Sequence, residues 1–498
     1  MPVRVFFARC VLLLLMFVAI SPNARLLPQT PQNLLLGTWS GEVHYGEESK
    51  LMALRFDLDK EKNAMVAFFD VPEMKFHNLG PIPVTRQGDE YKAVVFSFRL
   101  ATDKRSLTGK WSFDGHDLAF ELKPSPPLAE SAPSPSASNI ARPLWTFKTG
   151  GAVWSSPVVV EDIVYFGSSD GIIYAVNARS GKPHWQYKTA GPVMGRPASD
   201  GPYLYAPSDD GYLYKLERKS GRLVWRFDTH GGAVPRELPN PKSPTYDYLA
   251  SAATVFNGTV YIGSADKKLY AVDAKTGRER WHFDTQNIVR STPAVADGMV
   301  VIGSYDHNVY AVDAKSGALR WKFDTLRPVV SSPLFSDGTI FIGSRSSDFF
   351  ALGAATGRVK WKYFYWSSWV ESSARLHNGI LYVGSSDYQQ LFAIDAVSGR
   401  RIWNVNVDGS AWSTPAVTDE AVYIGVVGVD GYMINHHGSF YAVDRATGAV
   451  AWRFPMNVIP GAFCYGVASS PAVHKDLVFF GGLDGTFYAF RTSPIPKH

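Results

Sequence analysis

Four side chains of the sequence have the types that could hold a flat, anionic ligand: two tryptophans, an arginine and a glutamate. They are Trp154, Arg290, Glu371 and Trp412, and each begins a short segment that recurs along the chain. An aromatic ring can stack on such a ligand, and an arginine can bind its carboxylates through parallel hydrogen bonds. The alternative is that these residues plug a channel and pair with each other.

The recurring segments define a register for these residues. They read WSSP, MGRP, ASAA, RSTP, VSSP, ESSA, WSTP and ASSP. The serine and threonine positions repeat, which indicates that the hydroxyls cap strand starts near an axis. The leading position does not repeat: it holds Trp154, Met194, Ala250, Arg290, Val330, Glu371, Trp412 and Ala468. We expect these leading residues to ring the mouth of a central channel.

Other binding candidates lie in irregular stretches of the chain; they are Trp369, Tyr246, Tyr248 and His436. Packing is the alternative role for Trp369 and its neighbour Trp366. His436 and His437 are adjacent, so their side chains point apart on an extended segment, and no third metal ligand is evident. Cys464 has no base beside it and is expected to be an inert packed thiol. We therefore predict neither a metal site nor a catalytic residue.

Tryptophans form a second repeating pattern, and we expect them to pack between neighbouring repeats. They are Trp145, Trp185, Trp225, Trp281, Trp321, Trp361, Trp403 and Trp452, and a glycine stands four residues before each of the last seven. Such a glycine takes a positive φ without steric cost, and an acid or asparagine four residues before it can accept backbone N–H groups of the turn. The aspartates of motifs such as GSSD and GSYD are likewise expected to be turn formers.

One unit of the repeat contains four short strands. STPAVADG, MVVIGSYD, NVYAVDAKSG and ALRWKFDT each carry one strand, and four strands with tight turns fill about 40 residues. Such a sheet buries both faces only against copies of itself, and radial repetition achieves this. The prediction is an all-β fold with a β-propeller as its main part.

The segment YAVDAKTGRERW resembles the repeat of the pyrroloquinoline-quinone (PQQ) β-propeller superfamily, with its Ala-x-Asp-x-x-Thr-Gly-x-x-x-Trp docking motif. The resemblance covers about 350 residues. The last unit lacks the Thr-Gly and the tryptophan, whereas RPLWTFK at 142–148 is a fourth strand without a unit. Joining the two implies eight blades, with the first strand completing the last blade.

The repeats are interrupted where loops are expected on one face of the propeller. Residues 230–250 and 456–468 lead into innermost strands, and residues 426–438 connect a second strand to a third. In a propeller, these two kinds of loop share a face. Elaborated loops on one face of a rigid scaffold indicate a binding face.

Other regions precede the propeller, which we place at residues 142–491. Residues 1–24 contain Arg4 and Arg9 ahead of a short apolar run, the layout of a signal peptide or, alternatively, an uncleaved anchor. Residues 34–123 alternate apolar and polar residues and predict a small antiparallel β domain of six to eight strands, whose opening GTWSGEV resembles lipocalin-like domains. Residues 124–141 are a Pro/Ser/Ala linker.

Charge and cysteine content narrow the classes of function. A net charge of +5 without a basic run argues against nucleic acid as a partner, and no other segment reaches membrane-spanning length. Only two cysteines are present, so removal of the signal leaves Cys464 without a disulfide partner. These features favour an exported protein of the bacterial periplasm or cell envelope.

The resemblance implies two functions. Quinoprotein dehydrogenases bind PQQ with Ca²⁺ and oxidise alcohols or sugars; here PQQ would stack on Trp154 or Trp412, with Arg290 on a carboxylate and Glu371 near the metal. Against this, the chain cannot form those enzymes' disulfide between adjacent cysteines, and their asparagine ligand and catalytic aspartate have no matching positions. Members of the outer-membrane assembly machinery instead lack the cofactor and bind proteins on the same face, although they are lipoproteins of propeller length only.

We therefore expect a non-catalytic binding or scaffold protein that recognises a protein partner or small ligand on one propeller face, without a cofactor. A PQQ/Ca-dependent dehydrogenase is the alternative. A sensor or carbohydrate-binding module built from both domains is a third class that the aromatic residues permit.

Overall fold

The computed structural model describes residues 34–129, 139–234, 236, 247, 250–429, 434 and 436–492. The predicted signal segment, Tyr246, Tyr248 and residues 130–138 of the linker lie outside these residues. The chain forms two compact units, an N-terminal sheet and a propeller. Among the described residues, no helix is long and apolar enough to cross a membrane.

The N-terminal unit is one antiparallel sheet of nine strands, in the order β4-β3-β2-β1-β9-β8-β7-β6-β5. Its strands are β1 (Gly37–Tyr45), β2 (Glu48–Asp59), β3 (Ala64–Val71), β4 (Phe76–Pro83), β5 (Thr85–Gln87), β6 (Glu90–Ala93), β7 (Phe96–Leu100), β8 (Leu107–Phe113) and β9 (His116–Ser125). The two edge strands are consecutive in sequence, so the sheet is nearly closed. The predicted six to eight strands are too few because short strands such as β5 carry little apolar alternation.

The GTWSGEV segment forms the start of β1, where close packing explains its residue types. The Trp39 indole N–H donates to the Leu35 carbonyl at 2.9 Å. A Cβ on Gly41 would lie 2.1 Å from the Glu121 carbonyl oxygen of β9, so only glycine fits there. Aromatic side chains fill the interior, for example Phe69, whose ring centroid lies 5.0 Å from that of Trp111.

The second unit is a ring of eight four-stranded antiparallel blades, as the repeat predicts. Blades 1 to 4 comprise β11 (Val158–Val160), β12 (Ile163–Gly167), β13 (Ile172–Asn177), β14 (Pro183–Lys188); β15 (Ala198–Asp200), β16 (Tyr203–Pro207), β17 (Tyr212–Glu217), β18 (Leu223–Asp228); β19 (Thr254–Phe256), β20 (Thr259–Gly263), β21 (Lys268–Asp273), β22 (Glu279–Asp284); and β23 (Ala294–Ala296), β24 (Met299–Gly303), β25 (Asn308–Asp313), β26 (Leu319–Asp324).

Blades 5 to 7 comprise β27 (Leu334–Ser336), β28 (Thr339–Gly343), β29 (Asp348–Gly353), β30 (Val359–Phe364); β31 (Arg375–His377), β32 (Ile380–Gly384), β33 (Gln390–Asp395), β34 (Arg401–Asn406); and β35 (Ala416–Val417), β36 (Ala421–Val429), β37 (Ser439–Asp444), β38 (Val450–Pro455). An additional short strand, β39 (Cys464–Gly466), pairs with β36. The short first strands of adjacent blades contact one another around the axis, for example β15 with β19.

Blade 8 closes the ring by joining the two ends of the propeller sequence. It contains β40 (Ala472–His474), β41 (Leu477–Gly481), β42 (Thr486–Arg491) and, as its outermost strand, β10 (Trp145–Lys148). Trp145 lies opposite Ala489 and Lys148 lies opposite Thr486 in this antiparallel pair. The predicted completion of the last blade by the first strand is therefore confirmed.

Each register tryptophan contacts the following blade rather than the glycine of its own blade. In the described propeller, seven of them donate their indole N–H to a carbonyl of that blade, as Trp321 does to Ala354 at 2.7 Å. The indole ring also packs against the glycine of that following blade: a Cβ on Gly357 would come within 2.6 Å of the Trp321 ring. The glycine is thus needed both for its φ of +68° and for the space that the ring takes.

The turns between third and fourth strands are organised by the acids of the repeat. Asp273 Oδ1 accepts the N–H groups of Lys275 and Thr276 at 3.1 and 2.8 Å. A hydrogen bond from Arg280 and those of the turn lower the pKa of Asp273. Glu217 differs, because its longer side chain contacts the Ser220 hydroxyl and Arg222 instead.

Candidate functional site

The described parts of the irregular stretches that the sequence singles out lie on one face of the propeller, which we call the mouth face. Residues 426–429, expected to be loop, extend β36 and pair with β39 in the stretch that leads into blade 8. The Val427 N–H also donates to Ser410, which precedes the innermost strand of blade 7. The predicted loops 426–438 and 456–468 therefore lie side by side, with part of each in strand structure.

The charged candidate Arg290 is buried in an ion pair with a residue of the long loop before blade 3. Its Nε donates to Asp247 Oδ1 at 2.7 Å, and its Nη2 contacts Asp247 Oδ2. Both residues are less than a tenth exposed. A bidentate pair of this kind is the strong form of the interaction.

Arg236, from the same long loop, pairs with Asp209 in the loop between β16 and β17. The Nε–Oδ2 distance is 2.6 Å, and the Arg236 Nη1 also donates to the Asp247 carbonyl at 3.1 Å. Burial opposes the charge of Arg236, but Asp209 and Asp247 outweigh it and raise the pKa of the arginine. The two arginines are thus tied together through Asp247.

The other charged candidate, Glu371, is buried against Arg345 from the loop between β28 and β29. Arg345 Nε and Nη2 lie 2.7 and 2.6 Å from Glu371 Oε1. The guanidinium also lies over the Trp369 ring, 4.7 Å from its centroid, and 5.5 Å from that of Tyr305. Trp369 therefore belongs to a cation–π cluster that covers the buried ion pair.

The two tryptophans among the leading residues are largely buried. Trp154 is 8% and Trp412 is 6% exposed. The Trp412 indole N–H donates to the Ser386 hydroxyl at 3.0 Å. Neither ring presents a broad face to solvent in this arrangement.

A cleft of about 330 Å³ opens on the mouth face between blades 2 and 3. Its lining includes Asp209, Tyr212, Arg236 and Arg290, together with backbone of Gly231 and Gly232. The structure therefore brings Arg290 to a concave surface, but with its charge already neutralised. Tyr246 and Tyr248, predicted for the same region, lie outside the described residues.

His436 and Cys464 lie below the surface of the mouth face. His436 is 4% exposed, with Nδ1 3.3 Å from the Ser410 hydroxyl. The described residues contain no group of three acidic, histidine or cysteine side chains that could hold a metal ion. His436 is thus part of the packed interior beneath the loops.

Burial raises the pKa of the Cys464 thiol to about 12. At pH 8, this thiol stays protonated in the folded protein and should not react with a disulfide reagent, because the thiolate is the nucleophile. In a Cys10→Ser variant, we expect no reactive thiol under native conditions and one per chain in denaturant. A thiol that titrates rapidly in the folded protein would contradict this burial.

The ion-pair partners Asp209, Arg236, Asp247 and Arg345 were missed by sequence reasoning. Asp209 and Arg345 share one register position, directly after the second strand and its serine, where blades 1, 3, 4 and 6 have Ser169, Ala265, Tyr305 and Ser386. The backbone N–H of this position donates to the loop that leads into the innermost strand, so the position borders the mouth. Its variation between blades is the signal that could have identified it.

Comparison with known proteins places the chain in a family. The profile of the family described as outer membrane protein assembly factor BamB matches residues 141–253, 210–368 and 365–493, which together cover more than half of the sequence. The chain therefore belongs to this family, within the PQQ-like propeller superfamily. A search of the curated proteins finds no match to the sequence.

Several solved structures share the fold at low sequence identity. The computationally designed Ika8 protein is 17% identical, with a TM-score of 0.56 over 69% of this chain and 97% of that one. Quinohemoprotein alcohol dehydrogenase from Comamonas testosteroni is 16% identical, with a TM-score of 0.55 over 74% and 80%. Sqt1 from Saccharomyces cerevisiae is 13% identical, with a TM-score of 0.56 over 71% and 100%. These likenesses show the propeller fold alone.

Proposed function

We propose that this protein is an exported, non-catalytic propeller of the bacterial cell envelope that binds a protein partner through its mouth face. The family to which it belongs is described as an outer membrane protein assembly factor, which supports an envelope location and a role in binding proteins. The longest departures from the repeat lie on this face, as expected for recognition carried by loops on a rigid scaffold.

The observation that carries the proposal is that the ionic candidates at the mouth are neutralised within the chain. Arg290 pairs with Asp247, Arg236 with Asp209, and Arg345 with Glu371. A buried, paired side chain has little capacity to bind a charged ligand or to transfer a proton, because losing its partner is costly. These pairs hold the loops in place and support a preformed surface.

The same pairs do not fit the alternative of a PQQ/Ca-dependent dehydrogenase. The carboxylates of the quinone would have to displace Asp247 from Arg290, and a Ca²⁺ ligand at Glu371 would have to displace Arg345. Trp412 is mostly buried, with its indole N–H bound to Ser386.

Photocrosslinking tests the choice of surface. A photoreactive amino acid at Leu326 or Val458, on loops of the mouth face that are 54% and 51% exposed, should give a discrete protein adduct in the producing bacterium. The matched control is Val397, which is 86% exposed in a turn on the opposite face and should give none. Equal crosslinking from both faces, or none from the mouth face, would contradict the proposal.

Titration of the purified protein with PQQ and Ca²⁺ tests the alternative. We expect no bound chromophore, no dye-linked oxidation of alcohols or sugars, and no rise in Tm. A ligand at 100 times its Kd would stabilise the protein by about 2.7 kcal/mol, which a thermal melt detects. Stoichiometric binding with turnover would overturn the non-catalytic assignment.

A further inference from the structure

Two arginines belong to the segments nearest the propeller axis, in blades on opposite sides of the ring. Arg196 is the third residue of the segment that leads into blade 2, and Arg375 begins β31 of blade 6. In a ring of eight blades, the second and sixth face each other across the axis. Both residues belong to the segments nearest the axis, and the charge of Arg375, together with burial, lowers the pKa of Arg196.

Neither arginine is neutralised by the described part of the chain. The contacts of the described residues give them no hydrogen bond, ion pair or ring partner. The nearby acids act elsewhere: Asp200 of β15 acts on Lys215, and Asp419 lies 2.9 Å from the His377 ring nitrogen. This contrasts with the mouth, where each buried arginine has a carboxylate.

The surroundings of the two arginines are small and uncharged. In the register of Arg196, the other blades have Ser156, Ala252, Thr292, Ser332, Ser373, Thr414 and Ser470. In the register of Arg375, they have Val158, Ala198, Thr254, Ala294, Leu334, Ala416 and Ala472. Each of these two positions around the axis therefore holds one arginine among uncharged residues, most of them small.

Hydroxyl groups in the register of Arg196 keep a proton that the described residues do not use. The hydroxyl oxygens of Thr292, Ser332, Ser373, Ser470 and Ser156 each accept a backbone N–H from the preceding blade, at 2.8–3.0 Å. A hydroxyl has one proton to donate besides its acceptor capacity. The described residues provide no acceptor for these five protons, so the ring forms a set of donors.

The like charges of Arg196 and Arg375 are electrostatically unfavourable without an anion between them. Arg196 is accessible to solvent, yet burial and the charge of Arg375 lower its pKa. A side chain that lines an enclosed channel is reached by solvent and is still surrounded by protein atoms. Like charges in a partly desolvated space repel more strongly than in water, and an anion between them would offset this repulsion.

We propose that the axial channel holds a small tetrahedral oxyanion of the phosphate or sulfate class between Arg196 and Arg375. Guanidinium groups bind such oxyanions through paired hydrogen bonds. A tetrahedral anion can accept hydrogen bonds from two opposed arginines and from the ring of hydroxyls at once. A planar carboxylate presents its two oxygens to one side only. This site is separate from the mouth face and does not depend on the proposed partner.

Inorganic phosphate is the probe, with Tm measured at constant ionic strength adjusted with chloride. Wild type should show a saturable rise in Tm with phosphate, matched by sulfate and weaker with acetate. Arg196→Gln and Arg375→Gln should each raise the phosphate Kd at least tenfold and, without phosphate, melt no lower than wild type because the repulsion is relieved. Arg278→Gln, an exposed turn arginine, is the matched control and should behave as wild type.

Phosphorus NMR line broadening with wild type measures binding directly and should indicate one site per chain. A wild-type Tm that depends only on ionic strength, or glutamine variants that keep the full phosphate response, would overturn the proposal. Glutamine variants that melt well below wild type in chloride would also overturn it, because the arginines would then be structural contacts rather than ligand-binding groups.

Discussion

Replacing Trp321 by alanine is expected to lower the free energy of unfolding by about 3 kcal/mol, the lower end of the range for buried tryptophans, because the side chain is only partly buried. The substitution removes the packing between blades 4 and 5 and the hydrogen bond to the Ala354 carbonyl. Urea unfolding measures the loss. Trp321→Phe, which keeps a ring but loses the N–H, should cost less.

A second substitution separates the contact from general damage to the blade. Gly357→Ala should be destabilising because the residue has a φ of +68° and because its Cβ would meet the Trp321 ring. In the Trp321→Ala background, only the backbone strain remains, so the two effects should not add. Strict additivity would contradict a direct contact between this ring and this glycine.

Glu371→Gln is expected to lower the free energy of unfolding by about 3–5 kcal/mol. The substitution keeps the shape of the side chain but leaves Arg345 buried without its carboxylate partner. Removal of one member of a buried ion pair costs far more than the pair contributes in net terms. The comparison is Arg179→Gln, which breaks an exposed pair with Asp476 and should cost at most about 1 kcal/mol.

The double variant Arg345→Met, Glu371→Leu distinguishes an ion pair that fixes the loops from one that stabilises the fold. Apolar replacement of both partners is often neutral or stabilising. We expect stability within about 1 kcal/mol of wild type, together with altered crosslinking from the mouth face because the Arg345–Trp369 cluster is lost. A double variant as unstable as Glu371→Gln would indicate that the pair makes a net contribution to stability.

The number of blades and the closure of the ring follow from the sequence for a clear physical reason. Each repeat carries its own turn residues, as in Asp273, Thr276 and Gly277, so its local structure is encoded within about ten residues. The unpaired strand around Trp145 and the incomplete last unit complement each other. The contact of seven of the tryptophans with the glycine of the next blade, however, was not predictable, because the spacing within one repeat is identical in either arrangement.

The sequence indicated the position of Arg290 and Glu371 in the fold but not their ion-pair partners. Arg290 and Glu371 do border the mouth, since their register position leads into the innermost strands. Their partners Asp247 and Arg345 lie 43 and 26 residues away in the chain, in loops without a repeating pattern. The extension of β36 through Val429 was also missed, because its pairing with β39 depends on a neighbouring blade.

The sequence by itself determined the all-β class, the eight-fold repeat and the face that carries the longer loops, since each follows from local turn chemistry and from the period of the repeat. Tertiary structure alone decided which charges are neutralised and which are not. Arg290 and Arg196 both occur in segments that lead into innermost strands, but one meets Asp247 and the other faces Arg375 across the axis. A charge acts through distance in space, and closure of the ring sets those distances between residues far apart in the chain.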